Sequence, residues 1–224
     1  ASILTQIADG AGQQNPGPTI WTSGNTVLVA WSGVSLRDED DATYGAYVAA
    51  CGDGTHWTGC AIYSSKDGGT TYQREFSAPA STLGETETAL ADGVDTESWD
   101  ETSTVDVHLL HGALASTSDA EVLAGSNVAL VGNEVIGFGT VVDLGGGHYT
   151  LSHLRRGLRD THFTWINHGA VEAFVLLDSN TVRRVVVPDS FLGQTLGLKG
   201  LSEGQTLTDV SPTWVVIEAP ISSS

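Results

Sequence analysis

The sequence predicts a mainly β protein made of two small β-sandwich or β-barrel-like units with short helical turns. The 27 glycines, together with many Thr, Ser and Val residues and few long helix formers, are typical of short strands joined by turns. Short β-forming runs recur along the chain, from residues 26–31 to residues 214–217. A chain of 224 residues can bury a sizeable core in one large or two small β domains, and we predict two.

The chain divides into three predicted regions. Residues 1–25 are polar and rich in Gly, Gln and Pro, which predicts an incoming linker with at most one edge strand near 19–22. Residues 26–102 are predicted to form the first β domain and residues 103–224 the second. The boundary is placed there because residues 82–102 are acidic, polar and poor in strand formers.

The first domain begins with β-forming runs at 26–31 and 44–51. The acidic run 37–41 between them offers oxygen ligands, but its spacing is not that of an EF-hand, so we interpret it as a solvated loop. If residues 47–51 and 60–64 pair as a hairpin, Cys51 and Cys60 approach each other, as a disulfide or as two buried thiols. With only His56 nearby, the two cysteines fall short of the usual four zinc ligands.

An Asp-box pattern, S-x-D-x-G-x-T-aromatic, follows the second cysteine. It predicts a hairpin turn in which glycines take positive φ and an aspartate accepts backbone N–H bonds. Asp boxes also occur in sialidase propellers, but one box in 224 residues cannot supply several blades of about 40–50 residues. We therefore predict no enzyme. The pattern comprises Ser65, Asp67, Gly69, Thr71 and Tyr72.

The second domain begins with an alternating run at 104–110, which places Asp106 and His108 on one strand face. A metal site there would need further ligands, so we predict an exposed strand face and no metal. Residues 114–124 indicate a strand, a turn and a short helix. Further candidate strands lie at 181–187 and 214–217, separated by a turn or bulged strand at 191–201.

The most distinctive segment runs from residue 123 to residue 178. A β-rich run at 135–142, a triple glycine at 145–147 and a return run at 149–154 predict a hairpin. Three arginines then surround one glycine, and Asp160 or Thr161 can cap a short helix that stops at Gly169, before an apolar strand at 173–177. The arginines are Arg155, Arg156 and Arg159, and the glycine is Gly157.

This order of segments resembles the carboxy-terminal part of bacteriophage tail-tip and baseplate-hub proteins, including the large hub protein of gene-transfer-agent particles. The sequence LRRGLRDT at 154–161 is similar to that family's L-L-R-G-x-R-G-T signature, and the likeness extends more weakly over residues 44–204. Arg155 stands where a leucine is common, and Asp160 replaces the second glycine. We expect Arg156, Gly157, Arg159 and Thr161 to be structural, with the glycine at positive φ and the arginine satisfying carbonyls or carboxylates.

The resemblance implies a noncatalytic structural component of a phage-like tail tip or baseplate hub, located in the virion. It would link the tail tube to host-contact parts as a homotrimer or within a ring around the tail axis, with other tail or baseplate proteins as partners. We predict no cofactor. The chain has no Met and begins with Ala, which fits a removed start methionine or a piece of a longer polypeptide, and the resemblance favours the piece.

A net charge of −18 opposes direct binding to nucleic acid, because phosphates are neutralised by Lys and Arg. No apolar run approaches the roughly 18 residues of a membrane span. Five arginines lie in the second half of the chain, whereas residues 85–101 are acidic. If the arginines form one positive face, that face could contact the acidic segment of another copy of the chain. The alternative is that these charged residues only solvate surface loops. These arginines are Arg155, Arg156, Arg159, Arg183 and Arg184.

Neither a nucleophile elbow nor a P-loop, a dinucleotide motif or an H-E-x-x-H helix occurs, and the seven histidines share no spacing. No catalytic residue is therefore predicted. The alternative function is a carbohydrate-binding β module that attaches to host cell-surface glycan through exposed aromatic rings, with Trp57 and Trp99 as possible glycan contacts beside Tyr63 and Tyr72. Burial of these aromatic side chains in a β core is the competing interpretation.

Overall fold

The computed structural model describes residues 19–23, 26–52, 57–93 and 97–221; of the predicted linker at 1–25, residues 1–18, 24 and 25 lie outside them. In this part of the chain, no helix has the length and apolar character needed to cross a membrane. The strands are β1 Thr19–Ser23, β2 Thr26–Trp31, β3 Tyr44–Gly52, β4 Cys60–Ser65, β5 Gln73–Ala78, β6 Leu83–Thr86, β7 Val105–His111, β8 Val128–Val131, β9 Glu134–Gly145, β10 His148–Leu158, β11 Ala173–Leu176, β12 Arg183–Val187, β13 Thr195–Leu201 and β14 Thr213–Val216. The helix α1 covers Asp119–Leu123, and 3-10 turns cover Asp38–Ala42, Thr161–Thr164 and Asp189–Phe191.

These strands form a closed barrel and two four-stranded sheets. The barrel has the order β10-β7-β6-β11-β8-β9, and all its strand pairs are antiparallel. The central sheet has the order β1-β2-β3-β12, and the outer sheet has the order β14-β13-β4-β5. The predicted fold class, mainly β with barrel-like units and short helical turns, is confirmed, as is an edge strand near residues 19–22.

The central sheet is packed on both faces at β2 and β3, which explains why these two strands are almost continuously buried. One face of β2 and β3, including Leu28 and Val48, packs against the outer sheet through Ile62 and Leu198. The opposite face, including Val29, packs against the barrel wall, where Leu83, Leu130 and Val175 lie. A third core, around Phe138 and Phe174, fills the barrel. Strands buried on both faces carry apolar residues at nearly every position, so alternation is weak in 26–31.

A division of the chain at residue 103 does not separate the sheets. The central sheet combines β1–β3 with β12, the outer sheet combines β4 and β5 with β13 and β14, and the barrel takes β6 from before the boundary. The acidic stretch 82–102 therefore contributes a barrel strand and an isolated bridge between Asp100 and Leu154. Pairing between distant strands, rather than chain order, organises the core.

The predicted hairpin at 135–154 is confirmed as β9 and β10. Its turn contains Gly145, Gly146 and Gly147 at φ +85°, +67° and +88°, a backbone region that side chains with a Cβ rarely adopt. The pairing register shifts between Arg155 and Leu158, which marks a β-bulge at the end of the hairpin. The arginine turn is thus part of the barrel wall.

Three further expectations need correction. Residues 47–51 and 60–64 do not pair, because β3 belongs to the central sheet and β4 to the outer sheet. Cys51 and Cys60 are both buried and no disulfide joins them. The acidic run 37–41 is not simply a solvated loop, since Asp40 is buried and bonded to Arg184. The helix predicted to reach Gly169 ends at Thr164, and Asp160, at φ +59°, gives it no side-chain cap.

Candidate functional site

A buried ionic network lies where the arginine turn closes the barrel. The guanidinium of Arg156 is 1% exposed and donates from Nε and Nη2 to the two carboxylate oxygens of Glu134, at 2.9 and 2.8 Å. Its Nη1 donates to the carbonyl of Ala91 at 2.9 Å and lies 3.4 Å from the Asp100 carboxylate. The pairing is bidentate, the geometry in which arginine binds carboxylates most strongly.

His168 completes this network from the following loop. Its Nε2 lies 2.9 Å from Glu134 Oε2, and its Nδ1 lies 2.6 Å from Glu172 Oε2. Burial alone lowers the pKa of His168, but hydrogen bonds to Glu134 and Glu172 and the charges of both outweigh burial and raise the pKa to about 9. Burial acts in the opposite direction on a carboxyl group and raises the pKa of Glu134, yet the hydrogen bonds from His168 and Arg156 hold this pKa below its usual value. Both groups are therefore charged at neutral pH.

The turn residues of the signature support this network through their backbones. Gly157, at φ +61°, donates its N–H to Glu134 Oε1 at 2.7 Å. Thr161 is fully buried; its hydroxyl donates to the Leu158 carbonyl and accepts the N–H of Val135. Arg159 and Asp160 have φ of +55° and +59°, so Asp160 occupies a left-handed conformation that glycine adopts more readily.

The loop that contains His168 exposes large apolar side chains. Phe163, Ile166 and Val171 are 57%, 49% and 64% exposed, and several exposed apolar side chains in one loop are more informative than a single one. Trp165 in the same loop packs over Gly93, and the N–H of Asn167 binds Asp92. The apolar loop, defined as residues 162–171, is therefore held at its base by buried charges and hydrogen bonds while its apolar side chains face solvent.

The Asp-box residues form the turn between β4 and β5. Asp67 accepts the N–H and the hydroxyl of Thr71 at 2.9 and 2.6 Å, and the hydroxyl of Ser65 donates to Asp67 at 2.8 Å. Ser65 in turn accepts the N–H of Gly69, which has φ +88°. These hydrogen bonds, above all those from Thr71, lower the pKa of Asp67 to about 2. Both carboxylate oxygens accept hydrogen bonds from residues of the turn, so Asp67 stabilises the turn here.

The two tryptophans proposed as glycan contacts are both engaged within the protein. Trp57 packs on the core between the central and outer sheets, and its Nε1 donates to Thr26 and Ser202 at 3.1 and 2.9 Å. Trp99 stacks on His153 with ring centroids 4.1 Å apart and an interplanar angle of 3°. Neither side chain is thus the freely exposed platform that sugar stacking needs.

The five arginines of the second half do not form one positive face. Arg156 and Arg184 are buried in ion pairs, with Glu134 and Asp40 respectively, so the expectation of a shared face is wrong for these two. Arg183 is exposed on β12, whereas Arg155 and Arg159 line a cavity beside α1.

Asp106 and His108 also do not form a site together: Asp106 accepts the hydroxyl of Thr150, and His108 stacks on His148. Over residues 19–23, 26–52, 57–93 and 97–221, no group of three His, Cys, Asp or Glu side chains is arranged to hold a metal ion.

Glu134 and His168 are functional residues that sequence reasoning missed. Glu134 had a detectable signal, because it is the one charged residue in the run VALVGNEVIGF and the hairpin pairs it near Arg156. His168 had none, since it lies in an irregular segment whose path depends on tertiary contacts.

The fold and the site define a mainly β protein whose barrel carries an ionically anchored apolar loop. Residues 81–175 match the model of a protein family described as "Rcc01698-like, C-terminal". The match covers less than half of the 224-residue chain, yet it contains β6 to β10 entirely and ends one residue before the end of β11. The chain is thus similar to this family over its barrel. No curated protein matches the chain.

Proposed function

We propose that this chain is a noncatalytic structural component of a phage-like tail tip or baseplate hub, located in the virion. In this role it links the tail tube to host-contact parts and assembles as a homotrimer with other tail or baseplate proteins. The resemblance of residues 154–161 to the hub signature supports this role, and the family match over residues 81–175 is consistent with one barrel module that carries the signature.

The observation that carries the proposal is the apolar loop. A flexible loop would lose conformational entropy on binding, whereas this one is held at its base by the ion pairs of His168. Phe163, Ile166 and Val171 can then be buried against a neighbouring subunit with little additional ordering cost. Because Trp57 and Trp99 are engaged inside the protein, the geometry favours assembly over glycan binding.

The test combines location with a substitution in the apolar loop. Immunogold electron microscopy of particles from the producing cells is expected to place this chain at the tail tip, and light scattering of the purified protein to give a trimer mass. The double variant Phe163→Asp with Ile166→Asp is expected to keep its circular dichroism spectrum and to enter particles at least about tenfold less, because buried aromatic anchors dominate interfaces.

Leu192→Asp is the matched control, since Leu192 is 43% exposed but lies outside the loop, at the end of the Asp189–Phe191 turn. Normal incorporation of the folded double variant would refute the role of the loop. Labelling away from the tail, or the absence of the chain from particles, would refute the proposed function itself.

A further inference from the structure

A cavity of about 290 Å³ opens where α1, the end of β10 and the central sheet meet. Its volume is close to the lower end of the range of about 300–1,000 Å³ that small-molecule pockets occupy. Separate segments of the chain contribute its walls, some of them before residue 81 and some after residue 175, so the cavity is formed by the tertiary fold and not by one strand edge. Its walls are mainly aliphatic, with Leu36, Val122, Val128, Leu158, Leu177 and Val182.

The charged residues at this cavity all have the same sign. Arg37, Arg155 and Arg159 line it, and no Asp or Glu is among its described lining residues. These are three of only nine Lys and Arg residues in a chain of net charge −18. Arg37 pairs with Asp40 at 3.2 Å, Arg155 donates to the Glu97 carbonyl at 2.6 Å, and the side chain of Arg159 is exposed at the wall. Such a concentration in an acidic protein favours an anionic group at the mouth.

We infer that this cavity is a binding site for a single-chain carboxylate, an unbranched apolar chain with one anionic end. The aliphatic walls would cover the chain, with a gain of about 25 cal/mol for each Å² removed from water. The arginines would receive the carboxylate, which guanidinium groups bind through directed, charge-assisted hydrogen bonds. This site is independent of the apolar loop and of the proposed assembly role, because none of its lining residues lies in 162–171.

The experiment is isothermal titration of the purified chain with decanoate, decanol and decyltrimethylammonium. Decanoate is expected to bind with a Kd below about 100 µM, decanol about tenfold more weakly, and the cation more weakly still, since a charge-assisted hydrogen bond to Arg accounts for about a factor of ten. The variant Arg159→Gln is expected to weaken decanoate about tenfold and leave decanol unchanged. Arg159→Lys should retain part of the preference for the anion.

Two further variants separate the site from general effects. Leu123→Glu places an acid at the rim on a side chain that is 67% exposed, and it should weaken decanoate without unfolding the chain. Arg74→Gln, at an exposed residue of β5 outside the cavity, should leave binding unchanged. Equal affinities for decanoate and decanol, or unchanged decanoate binding in both Arg159→Gln and Leu123→Glu, would overturn the inference. Tighter binding of an acidic leucine-containing pentapeptide than of decanoate would overturn it in favour of a peptide partner.

Discussion

Replacing Glu134 by Gln should destabilise the protein more than any surface substitution of an acid. The carboxylate is fully buried, and it receives Arg156 on both oxygens, His168 on one and the N–H of Gly157 on the other. Gln keeps the size of the side chain but removes the negative charge and replaces one acceptor by an NH₂ group that faces donors. Arg156 and His168 would then remain buried with only part of their compensating charge.

The magnitude follows from the cost of leaving a buried charge without its partner, which is about 3–5 kcal/mol. Asp100, 3.4 Å from Arg156, and Glu172, 2.6 Å from His168, still compensate part of the charge, so the lower half of this range is expected for Gln. Against a typical total stability of about 5–15 kcal/mol, this is a large loss. For a chain of this length, the melting temperature should fall by roughly 6–16 °C.

The assay is thermal and urea unfolding followed by circular dichroism. Glu87→Gln is the matched control: Glu87 also contacts a histidine, His148 at 2.9 Å, but their side chains are 39% and 41% exposed. Exposed pairs contribute about 0–1 kcal/mol, so this variant should unfold almost like the wild type. A loss below about 1 kcal/mol for Glu134→Gln would show that the network does not stabilise the fold, and the argument for an ionically anchored loop would fail.

Three other predictions concern the pH dependence of the ionic network, the glycine of the β10 bulge and the Arg184–Asp40 ion pair. The contribution of His168 to stability is fully present below its unfolded pKa of 6.5 and is lost as pH rises through about 9. The contribution of Glu134 is present above its unfolded pKa of 4.5 and is lost as pH falls through its lower folded pKa. The melting temperature should therefore decline at both alkaline and acidic pH, and His168→Gln should remove the alkaline decline. Gly157→Val should cost about 1–3 kcal/mol because of the φ of +61°, and an unchanged melting temperature would contradict this. Arg184→Gln should cost about 1.5–3 kcal/mol, because Asp40 loses one of its two arginine partners while Arg37 and the Tyr47 hydroxyl stay bonded to it, whereas Arg183→Gln at an exposed site should change the free energy of unfolding by less than about 0.5 kcal/mol.

Local features of the fold were predictable where short-range chemistry decides them. The triple glycine at 145–147 fixed the hairpin, and the pattern around Asp67 predicted a turn that its hydrogen bonds bear out. The alternation at 104–110 predicted the faces of β7, where Val105 and Val107 are buried and Asp106 is not. In each case the residues that determine the structure lie within about a dozen positions of one another.

Sheet composition was not predictable, because it depends on pairings between distant strands. β12 joins β3 across a register that pairs Val185 with Ala46, and β13 joins β4 from similarly far along the chain. Neither strand carries a local signal for its partner, so the division at residue 103 followed composition instead. The same limit applies to Arg184, whose partner Asp40 lies 144 positions away.

The bulge at the end of β10 explains how one short segment serves two sides of the barrel. In a regular strand, Arg155 and Arg156 would point to opposite faces of the sheet. Arg159 would point to the same face as Arg155 only if the alternation of faces continued unbroken from residue 155 to residue 159. Gly157 breaks the ladder at φ +61° and gives its N–H to Glu134, so Arg156 enters the ionic network while Arg155 and Arg159 line the cavity. The cavity therefore depends on the ionic network, but the network does not depend on the cavity. Loss of Glu134 removes the contact that fixes the bulge and should also alter the shape of the cavity, whereas Arg159→Gln should alter only ligand binding. Measuring decanoate affinity in Glu134→Gln below its melting temperature tests this directly, because unchanged affinity would mean that the bulge keeps its shape without Glu134.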